Sequence, residues 1–562
     1  MEKINRLKKL FKREKIDGYL IPKNDEFFDE YISQHNDRLN YISNFTGSYG
    51  FSLILRNKNY LFVDGRYTAQ AKKQSGREFK ICEIPYIWPK HIIKKNLLKI
   101  GFDPKLFTER NLINYFDNKT ILVPIVFDFK KVKQKKLKKF YIINKNVTGE
   151  SYNSKLRKID KYLLKKKIDY LYVSASENVC WLLNVRGKDL PNSPLANCKL
   201  LISKKNGLSL FTNLSKISNI RNFFKKRINF YSEEDFSKVF LKLKYGKICI
   251  DENTCSIFEK KLIESVLDIK SSIDPIYRLK SIKNRVEIRN TINCHITDGV
   301  ALTKFLFWFK NLKKVTTERQ IDQKLEKFRK NSKEYLYPSF DAIVGSGPNG
   351  AIIHYRYNSR TNRKLLKNDI LLIDSGGQYK WGTTDVTRTV CNGSVSKKIK
   401  DNFTRVLKGH IAVATCNITK YYNGYLIDKL ARKSLKDVNL DYSHGTGHGV
   451  GFFLNVHEGP QGITKYNKVP IENGMFLSNE PGYYLNNHYG IRIENLIYVK
   501  KEKEKLKFEN LTYAPIDLDM VNFKLLNKKE KKYLFDYHLD VYSKISQYLD
   551  VKEKKWLLNL IK

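Results

Sequence analysis

Short unbroken runs of apolar residues predict buried strands in this chain, and one run brings two acidic residues together. Ile370–Ile373 predicts a fully buried strand. Gly376-Gly377 predicts a turn after it, and a second strand is expected from near Trp381. A hairpin of this kind returns Asp385 to the level of Asp374. Two neighbouring carboxylates repel each other, and burial strengthens that repulsion.

The first 145 residues predict one α/β unit. An amphipathic helix is expected over Lys3–Lys15, because its apolar residues fall on one face. A strand is predicted at Gly18–Pro22. The segments Phe51–Leu55 and Tyr60–Val63 predict a hairpin, because two apolar runs flank a short polar turn.

Residues 150–280 repeat this plan. Four short segments recur in the same order, at offsets between 140 and 152 residues. The pairs are Lys15–Asp17 with Lys167–Asp169, Tyr41–Gly47 with Trp181–Gly187, Ser52–Asn59 with Leu200–Gly207, and Lys99–Asp103 with Lys247–Asp251. We interpret this as a duplication, with a basic connector at Val132–Lys139. The predicted domains are 1–145, 146–281 and 282–562.

The third predicted unit opens with an amphipathic helix and contains a glycine-rich string. Gly345–Gly350 matches the GxGxxG pattern of dinucleotide sites, which requires a strand before it and a helix after it. Pro348 interrupts the string, and Ala351–Tyr355 predicts a further strand. We therefore expect no dinucleotide cofactor here. A long helix is predicted over Leu526–Leu549.

Composition bounds the class of protein. The chain has 562 residues, 41% of them apolar, which is enough for several packed domains. It carries 105 Lys and Arg against 57 Asp and Glu, a net charge of +48. Such a charge can indicate nucleic-acid binding, but these lysines occur in short runs over the whole length and not in one stripe. We interpret the excess as compositional and expect no nucleic-acid partner.

Targeting and cysteine patterns predict the compartment. No segment approaches the ~18 uncharged apolar residues of a membrane span. Met1–Leu10 is amphipathic and charged, and it lacks the apolar stretch of an export signal. The eight cysteines are scattered without a CxxC pair, which fits free thiols in a reducing environment. We expect a cytoplasmic protein that does not bind membranes.

A group of histidines and acids in the third unit indicates chemistry. His444, His448 and His457 fall within fourteen residues, and glycine follows His444 and lies on both sides of His448. Glycine lets the backbone lie close to whatever the histidines hold. Downstream, Glu480 and Glu494 each lie beside a strand-like stretch, around a Pro-Gly turn.

Four carboxylates and one imidazole form the candidate ligand set: Asp374, Asp385, His448, Glu480 and Glu494. Four negative charges packed together require compensating cations, and two divalent ions would supply them. Such oxygen-rich sets favour Mn²⁺, Mg²⁺ or Fe²⁺, although Zn²⁺ and Co²⁺ can also fit. Two such ions held ~3.5–4 Å apart acidify a shared water toward neutral pH.

These motifs, in this order and context, resemble the aminopeptidase P group of the pita-bread metallopeptidases. The resemblance spans nearly the whole chain. It implies a mixed α/β (α+β) fold, with two creatinase-type N-terminal α/β domains followed by a C-terminal pita-bread catalytic domain. It also implies that Asp374 binds one metal, that Asp385 and Glu494 bridge both, and that His448 and Glu480 complete the second.

The resemblance further implies catalytic roles. His354 is expected to steady the tetrahedral intermediate, and His444 and His457 to hydrogen-bond the substrate near the scissile bond. Glu480 is expected to pass a proton to the leaving amine. Tyr484 and Arg492 are expected to orient the metal ligands.

The expected activity is removal of the first residue from peptides with proline in second position. Two divalent ions are expected as cofactors, Mn²⁺ first, with Zn²⁺, Co²⁺ and Fe²⁺ as alternatives. The resemblance suggests a homodimer. A dipeptidase acting on Xaa-Pro shares the metal set, but the duplicated front half argues against it. A non-catalytic binding module is the other alternative, and such modules lose the ligands that this chain keeps.

Overall fold

The computed structural model of the protein describes residues 2–93, 97–129, 137–204 and 207–561. It contains two compact units, Met1–Lys145 with Glu150–Tyr277, and Asn146–Gly149 with Arg278–Lys562. Most of the predicted connector Val132–Lys139 lies outside the described residues, and the division at residues 145 and 281 stays a prediction. Within the described ranges, no helix is long and apolar enough to cross a membrane. The eight cysteines are free thiols.

The first half of the first unit is built on a six-stranded mixed sheet. Its strands are β1 Gly18–Pro22, β2 Phe51–Leu55, β3 Asn59–Asp64, β4 Lys80–Ile84, β5 Lys99–Phe102 and β6 Ile121–Pro124, and its helices are α1 Glu2–Arg13, α2 Arg38–Ser43, α3 Thr68–Ser75, α4 Pro89–Ile92 and α5 Glu109–Tyr115. The strand order is β4-β3-β2-β1-β5-β6. Strand β2 pairs antiparallel with both β1 and β3, and the other neighbours pair in parallel. Helix α1 buries its predicted apolar face.

The second half repeats this sheet. Its elements are β7 Tyr141–Ile142, α6 Lys145–Thr148, α7 Tyr152–Lys166, β8 Tyr170–Val173, α8 Ser176–Leu183, β9 Val185–Arg186, β10 Cys198–Ser203, β11 Gly207–Thr212, α9 Ser218–Phe224, β12 Ile228–Tyr231, α10 Phe236–Phe240, β13 Lys247–Ile250, α11 Ile257–Glu264, β14 Asp268–Ser271 and α12 Pro275–Ser281. Of these elements, α6 belongs to the second unit from Asn146 onward, and α12 passes into it at Arg278. The order β12-β11-β10-β8-β13-β14 matches that of the first sheet strand for strand. The parallel and antiparallel pairings also match.

Equivalent side chains make equivalent bonds in the two sheets. Asp17, just before β1, accepts a hydrogen bond from the backbone N–H of Lys99 at 2.9 Å. Asp169, just before β8, accepts one from Lys247 at 3.0 Å. In each sheet the bond ties the start of the central strand to its parallel neighbour. The predicted duplication therefore extends to individual contacts.

The second unit combines long helices with four small sheets. Its helices are α13 Arg285–Lys310, α14 Glu318–Lys330, α15 Lys397–Ala414, α16 Gly424–Lys436, α17 Lys528–Ile545 and α18 Val551–Leu558. Its strands are β15 Tyr335–Pro338, β16 Ile343–Ser346, β17 Ile370–Ser375, β18 Gly377–Tyr379, β19 Gly382–Thr383, β20 Val386–Cys391, β21 Gly447–Gly449, β22 Glu458–Ile463, β23 Phe476–Asn479, β24 Gly482–Leu485, β25 Tyr489–Arg492, β26 Asn495–Glu502 and β27 Lys505–Asn510. The sheet orders are β15-β18-β19, β16-β17-β20, β22-β21-β23-β26-β27 and β24-β25.

Local sequence explains where the main helices of this unit begin. Helix α13 starts at a capping box in which Asn284 and Glu287 satisfy each other's backbone N–H groups. Helix α14 starts at a second box, formed by Thr317 and Gln320. The predicted helix over Leu526–Leu549 is α17, which is shorter at both ends.

The strand predicted at Ala351–Tyr355 is wrong. Strand β16 ends at Ser346, and a single 3₁₀ turn over Gly347–Ala351 follows it, then a turn without strand pairing. The apolar run Ala-Ile-Ile is used for packing against the sheet and not for pairing within it. No long helix follows the glycines, so the strand–glycine–helix arrangement of a dinucleotide site is absent from this described stretch.

Acid sensitivity of the second unit is predicted to depend partly on His538. This buried imidazole accepts the backbone N–H of Ile516 at 3.1 Å and donates to the carbonyl of Leu534 at 2.9 Å. Burial lowers its pKa to about 4. The unfolded value is about 6.5, so the stabilisation is complete above that pH and is lost as the pH falls toward 4. The thermal midpoint of His538→Gln minus that of wild type should therefore be more positive at pH 5 than at pH 8, because only the wild type is destabilised by protonation of the unfolded imidazole.

The matched control for this measurement is His488→Gln, because His488 is exposed. Its thermal midpoint relative to wild type should be the same at both pH values. Equal behaviour of the two variants would contradict the assignment.

Candidate metal centre

The first two acids lie on a longer hairpin than the sequence predicted. The turn predicted at Gly376-Gly377 is wrong, because Gly377 lies in β18 and the chain turns at Lys380-Trp381. Strands β17 and β20 pair antiparallel, with Asp374 opposite Thr387. Asp385 lies just before β20, which begins later than the sequence suggested. Asp374 and Asp385 are both buried, with 8% and 4% of their surface exposed. A Cβ at Gly376 would lie 1.9 Å from the carbonyl oxygen of Thr384. Glycine is therefore required for these two backbone segments to approach this closely.

The other three ligand candidates come from the five-stranded sheet. His448 lies in β21, between two glycines that have no room for a side chain. Glu480 follows β23, and Glu494 precedes β26. These strands pair antiparallel with Asn479 opposite Asn495, so the two glutamates lie at the same end of the pair.

These residues meet at His448. Its Nε2 lies 3.4 Å from Asp385 Oδ2 and 3.5 Å from Glu480 Oε1. Its Nδ1 lies 2.9 Å from the carbonyl oxygen of Gly449, which can only accept, so Nδ1 carries the hydrogen of the neutral ring. The Nε2 lone pair then faces two carboxylates, which is unfavourable unless a cation lies among them. Ligand atoms of Asp385, His448 and Glu494 all lie within 4.8 Å of one another.

Two carboxylate oxygens support the same conclusion. Asp374 Oδ2 accepts from Arg492 Nη2 at 2.6 Å, and Glu494 Oε2 accepts from Thr387 Oγ1 at 2.7 Å. The other oxygen of each, Asp374 Oδ1 and Glu494 Oε1, is buried without a hydrogen-bond partner in the described part of the chain. Buried polar atoms normally have partners. The donor set therefore fits divalent cations.

The pKa values of the cluster reflect the burial and mutual repulsion of its carboxylates, which bound cations would offset. Burial raises the pKa of Asp374 to about 6, although Arg492 opposes the rise. The pKa of Glu494 is raised well above its ordinary value, first by burial and then by the charges of Asp385, Glu480 and Asp374. Burial lowers the pKa of His448, but Asp385 and Glu480 outweigh it and bring the value to about 9. Without metal ions, these raised pKa values favour protonated side chains at the positions where cations would bind.

A hydrogen-bonded chain leads away from the acids. Arg492 Nη1 donates to the hydroxyl of Tyr484 at 2.6 Å. That hydroxyl lies 2.9 Å from Nε2 of His444, whose Nδ1 lies 2.7 Å from the carbonyl oxygen of Gly445. Tyr484 therefore donates to His444, and His444, Tyr484 and Arg492 link to Asp374 in one network. Both ring nitrogens of His444 have protein partners in this arrangement.

The other two histidines occupy different positions. The rings of His457 and His448 meet edge to face, with centroids 4.2 Å apart. His354 is half-buried in the turn after the 3₁₀ helix, next to Tyr355, which packs against Ile343 and Leu372. The catalytic roles expected for His354, His444, His457 and Glu480 stay predictions.

Two residues that position the ligands escaped the sequence analysis. Thr387 Oγ1 donates to Glu494 and accepts from Arg492 Nε at 3.1 Å. Ser478 Oγ donates to Glu480 Oε1 at 3.0 Å and accepts the backbone N–H of His448 at 2.9 Å. Each lies two positions from a ligand candidate, and side chains two apart in a strand share a face. That spacing is the signal that could have identified them.

Comparison with known proteins is consistent with this geometry. The sequence model described as metallopeptidase family M24 matches residues 291–501, and that of the C-terminal region of this peptidase family matches 504–562. The creatinase/prolidase N-terminal domain is matched twice, at 3–119 and at 131–287. A probable Xaa-Pro aminopeptidase P of Coprinopsis cinerea is 36% identical over 98% of this chain and 96% of its own length. The chain belongs to metallopeptidase family M24.

Solved structures place this M24 chain among the long members of the family. An X-prolyl aminopeptidase of Caenorhabditis elegans, described as a cytosolic enzyme with a di-nuclear active site, is 29% identical and has a TM-score of 0.89. The match covers 97% of this chain and 95% of that one. An Xaa-Pro dipeptidase of Bacillus anthracis shares the fold at 21% identity and a TM-score of 0.55, over 66% of this chain.

Thr387→Val tests the proposed metal centre without replacing a ligand candidate. It removes the hydroxyl that orients Glu494, so we expect metal affinity to fall by about 10- to 100-fold. Competition against a chelator of known affinity measures it. Thr404→Val is the matched control, because Thr404 is also buried in this unit, but its hydroxyl donates to the carbonyl of Lys400 and accepts the backbone N–H of Asn522, not a ligand candidate. Equal affinity in both variants would contradict the assignment.

Proposed function

We propose that this protein is a metal-dependent aminopeptidase that removes the first residue from peptides with proline in second position. The observation that carries the proposal is the joining of four acids and His448 in one buried cluster with unpartnered oxygens. Full-length similarity to Xaa-Pro aminopeptidases supports the same activity. A hydrolase of this type acts on peptides that present a free amino terminus.

We propose two divalent cations as cofactors. Asp374 would hold one, Asp385 and Glu494 would be shared, and His448 and Glu480 would complete the other. When bound, the cations supply Lewis acidity toward the peptide carbonyl and acidify water at neutral pH. The oxygen-rich set favours Mn²⁺, and Zn²⁺, Co²⁺ and Fe²⁺ remain alternatives.

Glu480 is proposed to move the proton that the reaction requires. Its Oε1 is oriented by the hydroxyl of Ser478, and its Oε2 lies 4.0 Å from Arg492 Nε. Burial raises the pKa of this carboxyl, so it can accept a proton from the attacking water and give it to the proline nitrogen. That nitrogen has no hydrogen in the intact peptide, and it leaves as a neutral amine only if it is protonated.

The three remaining histidines are proposed to bind the substrate and the intermediate. His354 would steady the oxyanion, and His457 would contact the substrate beside His448. His444 receives a hydrogen bond from Tyr484, so its contact with substrate requires Nε2 to be shared with that hydroxyl. The Tyr484–Arg492 link then makes the position of His444 depend on the same guanidinium that orients Asp374.

Dipeptidase activity on Xaa-Pro is the second candidate function, and the length of the chain disfavours it. The bacterial Xaa-Pro dipeptidase covers only 66% of this chain, whereas the aminopeptidase from the nematode covers 97%. A non-catalytic module is disfavoured because all five ligand candidates are present. We further propose a cytoplasmic homodimer that acts on peptides without binding nucleic acid or membrane.

Product analysis distinguishes these activities. Mass spectrometry of Arg-Pro-Pro and of Arg-Pro, with metal content measured on the same sample, should show free arginine from the tripeptide and little from the dipeptide. Asp385→Ala should abolish the release and reduce bound metal. Asp437→Ala is the control, because Asp437 pairs with Lys433 on an exposed helix face. Faster cleavage of the dipeptide would identify a dipeptidase instead.

His444→Ala should lower turnover while bound metal stays unchanged. The reason is that the two ring nitrogens of His444 lie beside the carbonyl oxygen of Gly445 and the hydroxyl of Tyr484, which leaves the proposed ligand set unchanged. We expect a loss of about 10²–10⁴ in kcat if it assists proton transfer or hydrogen bonding in the transition state. Loss of metal in this variant would make His444 a ligand and overturn its assigned place.

A further inference from the structure

A carboxylate far from the metal cluster in sequence is fully buried and serves no purpose in the mechanism above. Glu318, the first residue of α14, is 0% exposed. Among the described residues, no lysine or arginine side chain forms an ion pair with it. A buried carboxylate is costly unless hydrogen bonds compensate it. Its donors therefore indicate what it holds.

The hydrogen-bond donors to the two carboxylate oxygens of Glu318 all come from one segment, Ser346–Arg363. Oε1 accepts from the backbone N–H of Ser346 at 2.8 Å and from its hydroxyl at 3.1 Å. Oε2 accepts from the hydroxyl of Tyr355 at 2.7 Å and from the backbone N–H of Arg363 at 3.0 Å. The amide of Asn349 donates to both oxygens, at 3.0 and 3.1 Å.

The same segment is tied to Glu318 through the backbone. The N–H of Glu318 donates to the carbonyl oxygen of Arg363 at 3.0 Å, so the two residues exchange hydrogen bonds. The hydroxyl of Tyr355 and the amide nitrogen of Asn349 also lie 2.7 and 3.1 Å from the carbonyl oxygen of Thr361. One carboxylate thus closes an irregular loop that has no strand pairing of its own.

This loop lies against the strands that carry the metal cluster. A Cβ at Gly490 in β25 would lie 1.8 Å from the carbonyl oxygen of Gly350, so the loop backbone touches the strand that contains Arg492. The ring of Tyr355 packs on Leu372, two positions before Asp374. Tyr355 is therefore held at its hydroxyl by Glu318 and at its ring by the strand of a ligand candidate.

We infer that Glu318 is a positioning residue that fixes the main chain at Tyr355 and thereby the place of the neighbouring His354 in the reaction. The inference rests on the proposed function, because it assigns Glu318 an effect through a histidine of that mechanism. An amide at this position would turn a donor toward the other donors of the loop. The loop would then lose the arrangement that places His354.

The test compares Glu318→Gln with Glu326→Gln. Glu326 lies on the same helix and accepts a tyrosine hydroxyl, from Tyr335 at 2.6 Å. Glu318→Gln should speed amide hydrogen exchange in Ser346–Arg363 and lower kcat on Arg-Pro-Pro by about 100-fold with bound metal unchanged, because small misplacements of reacting groups are costly. Glu326→Gln should change neither.

A second arm separates positioning from general destabilisation. In a His354→Ala background, Glu318→Gln should change kcat by less than about threefold, since residues acting through one group are not additive. Multiplying losses, or unchanged kcat despite faster exchange, would overturn the inference. If Glu318→Gln does not fold, Tyr355→Phe removes a single donor and should give the same pattern more weakly. A wild type that releases no first residue would refute the proposed function, and this role with it, whereas an active wild type matched by Glu318→Gln would refute the inference alone.

Discussion

Mutual repulsion among four buried carboxylates is the constraint on which the second unit depends. Asp374, Asp385 and Glu494 are nearly inaccessible to water, and Glu480 lies beside them. Arg492 offsets only part of this charge, and the lone pair of His448 adds another electron-rich group. Folding such a cluster without cations requires protons to be taken up, as the raised pKa values of Asp374 and Glu494 show. Bound cations would remove this cost, which is why the donor set fits them.

Close approach of backbones brings the ligands together. They come from two separate sheets, and each contributes residues at the end of a short strand. Gly376, Gly447 and Gly490 lie where a Cβ would be within 2 Å of a carbonyl oxygen from a neighbouring segment. Glycine at these points removes the steric barrier, and hydroxyl groups such as those of Thr387 and Ser478 then orient the carboxylates. The rigid part of the site is therefore a backbone arrangement as much as a set of side chains.

Patterns repeated along the chain were the most predictable features. The duplication of the front sheets was visible in four short segment pairs because both copies need the same turn residues and the same bonds, such as those of Asp17 and Asp169. The buried strand that ends beside Asp374 was predictable because its apolar run acts locally, whereas the turn was misplaced at Gly376-Gly377 because Gly377 pairs in β18. Ala351–Tyr355 was misassigned because its contacts, such as the hydrogen bond from Tyr355 to Glu318, are made with segments distant in sequence and not with a neighbouring strand. Thr387 was missed for the related reason that its partners lie more than a hundred residues away.

The sequence by itself determined the residue types and the order of the candidate ligand set, because residue type and spacing are properties of the sequence itself. The tertiary structure alone decided which oxygen of each carboxylate is oriented and which is left without a partner. It also decided that His444 is engaged by Tyr484 and that Glu318 closes the loop beside His354. Hydrogen bonds between distant segments depend on how sheets and helices pack, and no local pattern specifies that packing.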